Sequence, residues 1–438
     1  MPAKDAKGRE KKKQEKLFLF SRPFAYFAGI PILVRIAIVS ESNRQIGGIE
    51  TYLEAVAPRL LARGHDLAFF PGTDGGDLHR PAIHLPAEIL RWPPAAGREA
   101  EALAALRAWR PDVLFAHTLH DQKLEAAVQR VAPTVFFAHA YYGTCLSGFK
   151  SHWFPAPRVC SRRLGPACLL HYFPHRCGGW NPLTALSLYR LQHERLRNLR
   201  ACAALVVLSA HMAEEYRRHG FSTHVLPPWF EPDIDSDSDG PVEDEELRLL
   251  FLGRLQKLKG PQALLDALPH VAAALPARFA RVRCTLAGTG EMEAALRART
   301  AALSAGDARI RVEFPGWVDA AARQAFLRAA HLLVVPSLWP EPFGLVGLEA
   351  AAFGVPAVAC NVGGVRDWLE DGVSGRLVSA TPRALAAGII SAVRDPADYQ
   401  RLRAGARARV ARLDAPAHVI RLEEIFAAAA AGCAVASS

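Results

Sequence analysis

From Val34 onward the chain repeats one pattern, a short aliphatic run followed by a loop and an amphipathic stretch, and it runs through that series twice. Arg35 to Ser40 (RIAIVS) reads as a strand, and Ile49 to Arg63 as a helix stopped by Gly64. Apolar runs at Asp66 to Phe70, Asp112 to Ala116, Thr134 to Ala138 and Leu205 to Leu208 alternate with helical segments such as Glu99 to Trp109. Runs apolar on both faces fit parallel strands covered by helices. Between Pro227 and Glu246 the chain turns to prolines, serines and acids. Leu247 to Leu252 (LRLLFL) then opens a second series through Val282 to Ala287, Val312 to Phe314, Leu332 to Val335 and Pro356 to Ala359. The predicted fold class is α/β, two tandem Rossmann-like domains facing across a cleft that is the default active site. A chain of 438 residues, half of them apolar, exceeds the size at which single cores stop growing, which agrees with two domains.

The expected boundaries are 34–230 for the first domain, with a Cys-rich insert at 141–180, then an acidic linker at 231–246, a second domain at 247–414, and a C-terminal helix and tail at 415–438. Residues 1–33 stand apart. Lys4, Lys7, Arg9, Lys11, Lys12, Lys13 and Lys16 form a basic head before the apolar run Leu17 to Val34, which Arg22, Pro23, Gly29 and Pro31 interrupt. Those breakers argue against a spanning helix. The run is read as an interfacial anchor, making peripheral contact with the inner face of a membrane, or as an extension outside the fold of a cytoplasmic protein. The net charge of +10 is spread over a tail and two domains without a nucleic-acid module, so no nucleic acid is expected as partner.

The segment Trp339-Pro-Glu341-Pro-Phe-Gly344-Leu345-Val-Gly-Leu-Glu349 follows the strand at Leu332 to Val335 and opens a helix reaching about Phe353. Amides near Gly344 and Leu345 then form an anion site, since the first N-H groups of a helix lack internal partners and its dipole is positive there. Glu341 and Glu349 lie about 8 to 12 Å apart along the axis if the interval is mostly helical, a span that suits a sugar at one end and a ribose at the other.

These two glutamates, with Phe-Gly-Leu between them, resemble the donor-site motif of the family-4 retaining glycosyltransferases of GT-B fold, the glycosyltransferase group 1 type. Gly253-Arg254 with Lys259-Gly260 is similar to that family's phosphate-binding pairs, and Leu286-Ala-Gly288-Thr-Gly290 to the strand end that follows. Gly354-Val-Pro356, Gly363-Gly364, Asp371-Gly372 and Gly375 run in family order, and Gly47-Gly48-Ile-Glu50 resembles the glycine loop near the donor phosphate. The resemblance covers most of residues 34 to 425.

It implies a metal-independent enzyme that moves a hexose-type sugar, with retention, from a nucleotide-sugar donor to a saccharide or lipid-linked acceptor of cell-surface polysaccharide synthesis. Arg254 and Lys259 would neutralise the diphosphate leaving group together with the helix start at Gly344 and Leu345. Glu341 would contact the transferred hexose and Glu349 the ribose hydroxyls. The family also places Asp or His residues of its first half at the reacting carbon or the acceptor. His117 and His139 end two strands where an open parallel sheet sets ligands, and His117 is slightly favoured. The family's glutamate three residues after Gly364 is Asp367 here, which leaves donor-sugar recognition open, and the helix from about Ala415 is expected to cross back to the first domain.

Three other patterns need weighing. Gly288-Thr-Gly290 lacks the third glycine of a dinucleotide fingerprint. Asp235, Asp237, Asp239, Gly240 and Glu246 have EF-hand spacing, yet Pro227-Pro228 precedes them and a strand follows, so an acidic linker explains them better. Cys145, Cys160, Cys168 and Cys177 crowd the insert with His152, His171 and His175, and could hold a structural zinc, remain free thiols or pair as disulfides. Trp153, Arg162, Arg163, Tyr172 and Trp180 of the insert offer stacking and anion-binding surfaces for an acceptor. Within the same architecture, a nucleotide-sugar epimerase, a phosphorylase-like enzyme or a non-catalytic nucleotide-sugar-binding protein are the competing functions.

Overall fold

The computed structural model describes residues 33–45, 47–74, 81–178, 181–231 and 245–432. The N-terminal extension, most of the acidic linker with its EF-hand-like aspartates, and Trp180 lie outside the described residues. Among the described residues no helix is long and apolar enough to cross a membrane.

Two parallel sheets carry the fold. In the first, β1 (Arg35–Ser42), β2 (Asp66–Thr73), β3 (Leu90–Arg91), β4 (Val113–Ala116), β5 (Thr134–Ala138), β8 (Ala204–Val207) and β9 (His224–Val225) run in the order 3-2-1-4-5-8-9. In the second, β10 (Glu246–Leu252), β11 (Arg281–Ala287), β12 (Ile310–Gly316), β13 (Leu332–Val335), β14 (Ala357–Cys360) and β15 (Gly375–Val378) run in the order 12-11-10-13-14-15. A short antiparallel ladder, β6 (Ser151–His152) with β7 (Arg158–Val159), belongs to the insert. Every residue of β4, β5, β8, β13 and β14 is buried, which is why these strands read as unbroken apolar runs. The two-sheet GT-B arrangement expected from the sequence is the one observed.

In each sheet the strand order reverses at one place, between β1 and β4 and between β10 and β13. Open α/β sheets set ligands outside the carboxyl ends of the strands at that crevice. The loops leaving those four strands carry Gly47-Gly48, His117, Gly253-Arg254 and Trp339 to Gly344. Topology alone therefore gathers residues that lie far apart in the chain.

The last helix, Ala415–Ala430, is capped by Asp414, whose carboxylate accepts from the amide of Ala417 at 3.0 Å. Its buried positions His418, Val419, Leu422, Ile425, Phe426 and Ala429 follow helical spacing. They pack on the first half, with Phe426 edge-on to Phe115 at 5.0 Å and Tyr52 Oη 2.8 Å from His418 Nε2. The crossing back is thus present as expected. Glu246, the end of the EF-hand-like spacing, is buried in β10 beside Arg281 and Arg283 and so serves the sheet.

Candidate active site

The loop carrying Gly253-Arg254 and Lys259-Gly260 begins where β10 ends. Gly253 (φ +148) and Gly288 (φ +142) lie backbone against backbone, so a Cβ on Gly288 would stand 2.0 Å from the Gly253 carbonyl oxygen. Gly260 (φ +74) lies against Pro336, whose carbonyl oxygen would be 1.9 Å from an added Cβ. The amide of Leu338 donates to the carbonyl of Leu258 at 2.8 Å, joining the loop after β10 to the loop after β13. That junction delivers Lys259 to Glu341. Its Nζ lies 2.9 Å from both carboxylate oxygens and 5.1 Å from the Trp339 ring, while Ser337 Oγ donates to the same carboxylate. Arg254 is exposed; its carbonyl accepts from the amide of Gln256 at 2.8 Å, and among the described residues its side chain makes no hydrogen bond or ion pair.

The helix of the motif runs only from Leu345 to Ala352. The Glu341 to Glu349 interval is therefore helical only from Leu345 on, and Glu341 to Gly344 lead into it without helical structure, Pro340 and Pro342 disfavouring a helix there. Gly344 (φ +102) caps this helix. A Cβ on Gly347 would reach 2.4 Å from the Trp368 ring, and Trp368 Nε1 donates to the Phe343 carbonyl at 2.6 Å. Trp368, which sequence reasoning passed over, is the wedge that fixes the helix start. Glu349 is buried, and burial raises its pKa against the opposing pull of Arg323. Arg323 Nε comes to 3.3 Å of Oε2 without hydrogen-bond alignment, which leaves that oxygen without a hydrogen-bond donor.

Facing this helix is the first helix of the other half, Gly48–Ala62, where the Glu50 carboxylate reaches back to accept from the Gly47 amide at 2.8 Å. A Cβ on Gly48 would lie 3.3 Å from Leu345 Cδ1, whereas nothing stands within 4 Å of one on Gly47. Two helix starts from the two halves thus converge, with the space beside Gly47 open between them.

His117 and His139 also come together, with His117 Nδ1 2.9 Å from His139 Nε2. Their burial separates them. His117 is fully enclosed by Tyr52, Phe115 and Phe137, while His139 is half-buried. Burial lowers both pKa values, and in His117 the neighbouring His139 adds to the effect, so both rings are neutral near pH 7. His139 is thus the more exposed of the two rings, and His117, slightly favoured from the sequence, is the enclosed one.

Asp367 is engaged by the other half of the chain. Its carboxylate accepts at 2.8 Å from the amide of Ala210, the first residue of the helix Ala210–Arg218 in the other half. The neighbouring Gly364 is packed against Ser209, the cap of that helix.

The insert borders the same cleft. Tyr141 lies edge-on to Trp339 at 6.4 Å, and Lys257 Nζ of the loop after β10 sits 4.9 Å over the Trp153 ring. Cys145, Cys160, Cys168 and Cys177 are half-buried free thiols. The thiol of Cys177 is pushed up to about 12, first by burial and then by Cys145, Cys160 and Cys168.

Known proteins resemble this chain in both halves. Residues 233–409 match the family model described as glycosyl transferases group 1, and residues 46–233 the model described as glycosyltransferase family 4. The chain is 36% identical over 200 residues to a D-inositol 3-phosphate glycosyltransferase of Geodermatophilus obscurus, covering 43% of this chain and 41% of that protein. It is 34% identical over 198 residues to a phosphatidyl-myo-inositol mannosyltransferase of Mycobacterium tuberculosis, covering 43% of this chain and 50% of that one. The chain thus spans half the length or less of these curated relatives. In fold it is similar to Anabaena HepE in complex with UDP, with a TM-score of 0.62 at 20% identity over 90% of this chain and 100% of that one.

Proposed function

The chain belongs to the group 1, family 4 glycosyltransferases, and from that premise we propose that it transfers a hexose-type sugar, with retention, from a nucleotide-sugar donor to a saccharide or lipid-linked acceptor. The observation that carries the proposal is the meeting of the helix starts at Gly48 and Leu345, with Lys259 held on Glu341 in the loop that leads into the second of those helices. Helix-start amides together with the cations Lys259 and Arg254 of the loop after β10 are matched in charge to a diphosphate. In the proposed reaction the bond from the anomeric carbon to the phosphate oxygen breaks, and the nucleoside diphosphate takes the electron pair. The acceptor hydroxyl bonds to that carbon on the same face and gives its proton to the departing phosphate oxygen.

Charge that grows on the leaving group meets donors already in place, so this chemistry asks for no metal ion. Glu341 serves the hexose and Glu349 the ribose. His139 stands on the acceptor side, held by His117. The inositol-phosphate and phosphatidyl-inositol acceptors in the relatives' names support a polyhydroxylated acceptor here too. UDP in the Anabaena protein supports the nucleotide-sugar donor.

The test is to incubate the protein with a panel of nucleotide sugars, following thermal stabilisation, acceptor-independent donor hydrolysis and, with saccharide and lipid-linked acceptors, the anomeric configuration of the product by NMR. Stabilisation by some nucleotide sugars and a product of unchanged configuration are expected. Donor conversion to an epimer without acceptor, or no response to any nucleotide sugar, overturns the proposal.

A further inference from the structure

The insert faces a stability problem that its fold does not solve. Its own secondary structure is the two-residue ladder Ser151–His152 with Arg158–Val159 and the six-residue helix Ala167–Tyr172. The apolar cluster under it holds only Leu146, Leu164, Tyr172, Ala185 and Leu196 as buried members. A lobe with so little core needs a cross-link or a bound metal to offset the entropy of ordering it.

Backbone contacts through Lys150 bring two of its four cysteines together, and the four thiols interact electrostatically with one another. The amide of Lys150 donates to Cys145 Sγ at 3.3 Å, and the carbonyl of Lys150 accepts from the Cys160 amide at 2.7 Å. Lys150 thereby sets these two residues on either side of itself. It is buried, with φ +49, and its Nζ donates to the Arg162 carbonyl at 2.7 Å and to Glu215 at 2.6 Å. Cys168 begins the short helix and Cys177 follows its end, where the left-handed Arg176 (φ +51) turns the chain and the Cys177 amide donates to the Tyr172 carbonyl at 2.9 Å. Each thiol of this second pair lies within electrostatic reach of Cys145 and Cys160.

We propose that Cys145, Cys160, Cys168 and Cys177 together bind one zinc ion as a tetrahedral four-thiolate site that staples the insert. In the thiol form the sulfurs are unbridged, and no three potential ligands among the described residues share a coordination point. Four thiolates binding one zinc ion would each stand about 2.3 Å from it. Each thiol gives up its proton to solvent as its sulfur bonds the metal, and the resulting dianionic centre has Lys150 and Arg162 within electrostatic reach. The amide of Lys150 already donates to one of the sulfurs, as outer-shell partners of metal thiolates do.

The nearby histidines are not the ligands. His152 and His171 each lie against His175, with centroids at 4.5 and 5.2 Å, and His175 Nδ1 is 3.2 Å from the Phe154 carbonyl oxygen. His171 stacks on His175 at 24° and His152 is tilted to it at 40°. The staple would brace Trp153 where it meets Lys257 of the loop after β10.

The test needs no activity. Full-length protein, purified without a metal-affinity step, is measured for bound metals and titrated with a mercurial in the presence of a chromophoric chelator. About one zinc per chain, released as four thiols react, is expected, and cobalt exchanged into the site should give the charge-transfer and d-d bands of a tetrahedral thiolate complex. Cys160→Ser and Cys177→Ser should lose the metal, while His152→Ala and His175→Ala keep it. Where a cysteine variant fails to fold, the wild-type stoichiometry and mercurial titration decide. Wild-type protein expressed with added zinc yet free of it, disulfides in the intact mass, or zinc retained when all four cysteines are replaced would overturn the proposal.

Discussion

Lys259 sets its ammonium 2.9 Å from both carboxylate oxygens of Glu341 across a separation of 82 residues in sequence. The carboxylate side chain is 5% exposed and the lysine 25%, so the cation stands at the mouth of the pair. An incoming diphosphate meets the lysine first. Sharing that cation with phosphate oxygens would release Glu341 to accept from hexose hydroxyls, coupling donor arrival to the readiness of the sugar subsite.

Removing the lysine should therefore have two separable effects. In Lys259→Ala a buried carboxylate loses its partner, which costs about 3 kcal/mol of stability, and transfer falls by about 10²–10³. Adding Glu341→Gln should restore most of the melting temperature while leaving kcat low. Thermal unfolding and steady-state kinetics check both, and restored turnover in the double variant would remove Lys259 from the chemistry.

Glu349 has one carboxylate oxygen without a hydrogen-bond donor. If ribose hydroxyls donate to it, Glu349→Ala should weaken nucleoside diphosphate binding by about 10- to 100-fold, the value of one or two hydrogen bonds to a charged group. Calorimetric titration measures this. Since burial disfavours the ionised glutamate, the variant should unfold no more easily than the parent.

The two histidines should differ in how they fail. His139→Ala should lower kcat by about 10². His117→Ala should lower it less, because His117 acts by fixing the tautomer and tilt of its neighbour, and His117→Asn should recover part of the loss. Equal losses in all three would mean that both rings act only in packing.

Burial pushes the His418 imidazole down to about 4. The unfolded chain then binds more protons than the folded one between that value and about 6.5, so stability rises with pH across this window. Acidification from about 6.5 towards 4 should cost up to about 3 kcal/mol from this residue, and the slope should flatten in His418→Gln. Urea midpoints at several pH values provide the measurement.

How much of this was legible in the sequence depends on the range of the signal. The strands at Thr134 to Ala138 and Leu332 to Val335 agree with their apolar runs residue for residue, because full burial leaves no alternation to misread. The glycines were legible as a class, and Gly260 and Gly344 do sit at positive φ, the first against the Pro336 carbonyl and the second against the Trp368 ring. Partners were not. Lys259 with Glu341 and His117 with His139 join loops that leave neighbouring strands of one sheet, Asp367 with Ala210 joins one half to the other, and neither strand order nor the approach of the two halves leaves a local mark on composition. Trp368 gave no signal beyond being aromatic, since its task is to lie on Gly347 from another loop.

The helix at Ala415–Ala430 has a further consequence for how the protein is made. Its Phe426 covers Phe115 and its His418 closes on Tyr52, so the first half to leave the ribosome is the last to be finished. A nascent chain halted before residue 415 holds that half with an open apolar seam until the final helix is translated, a window in which chaperones rather than the chain itself must guard it.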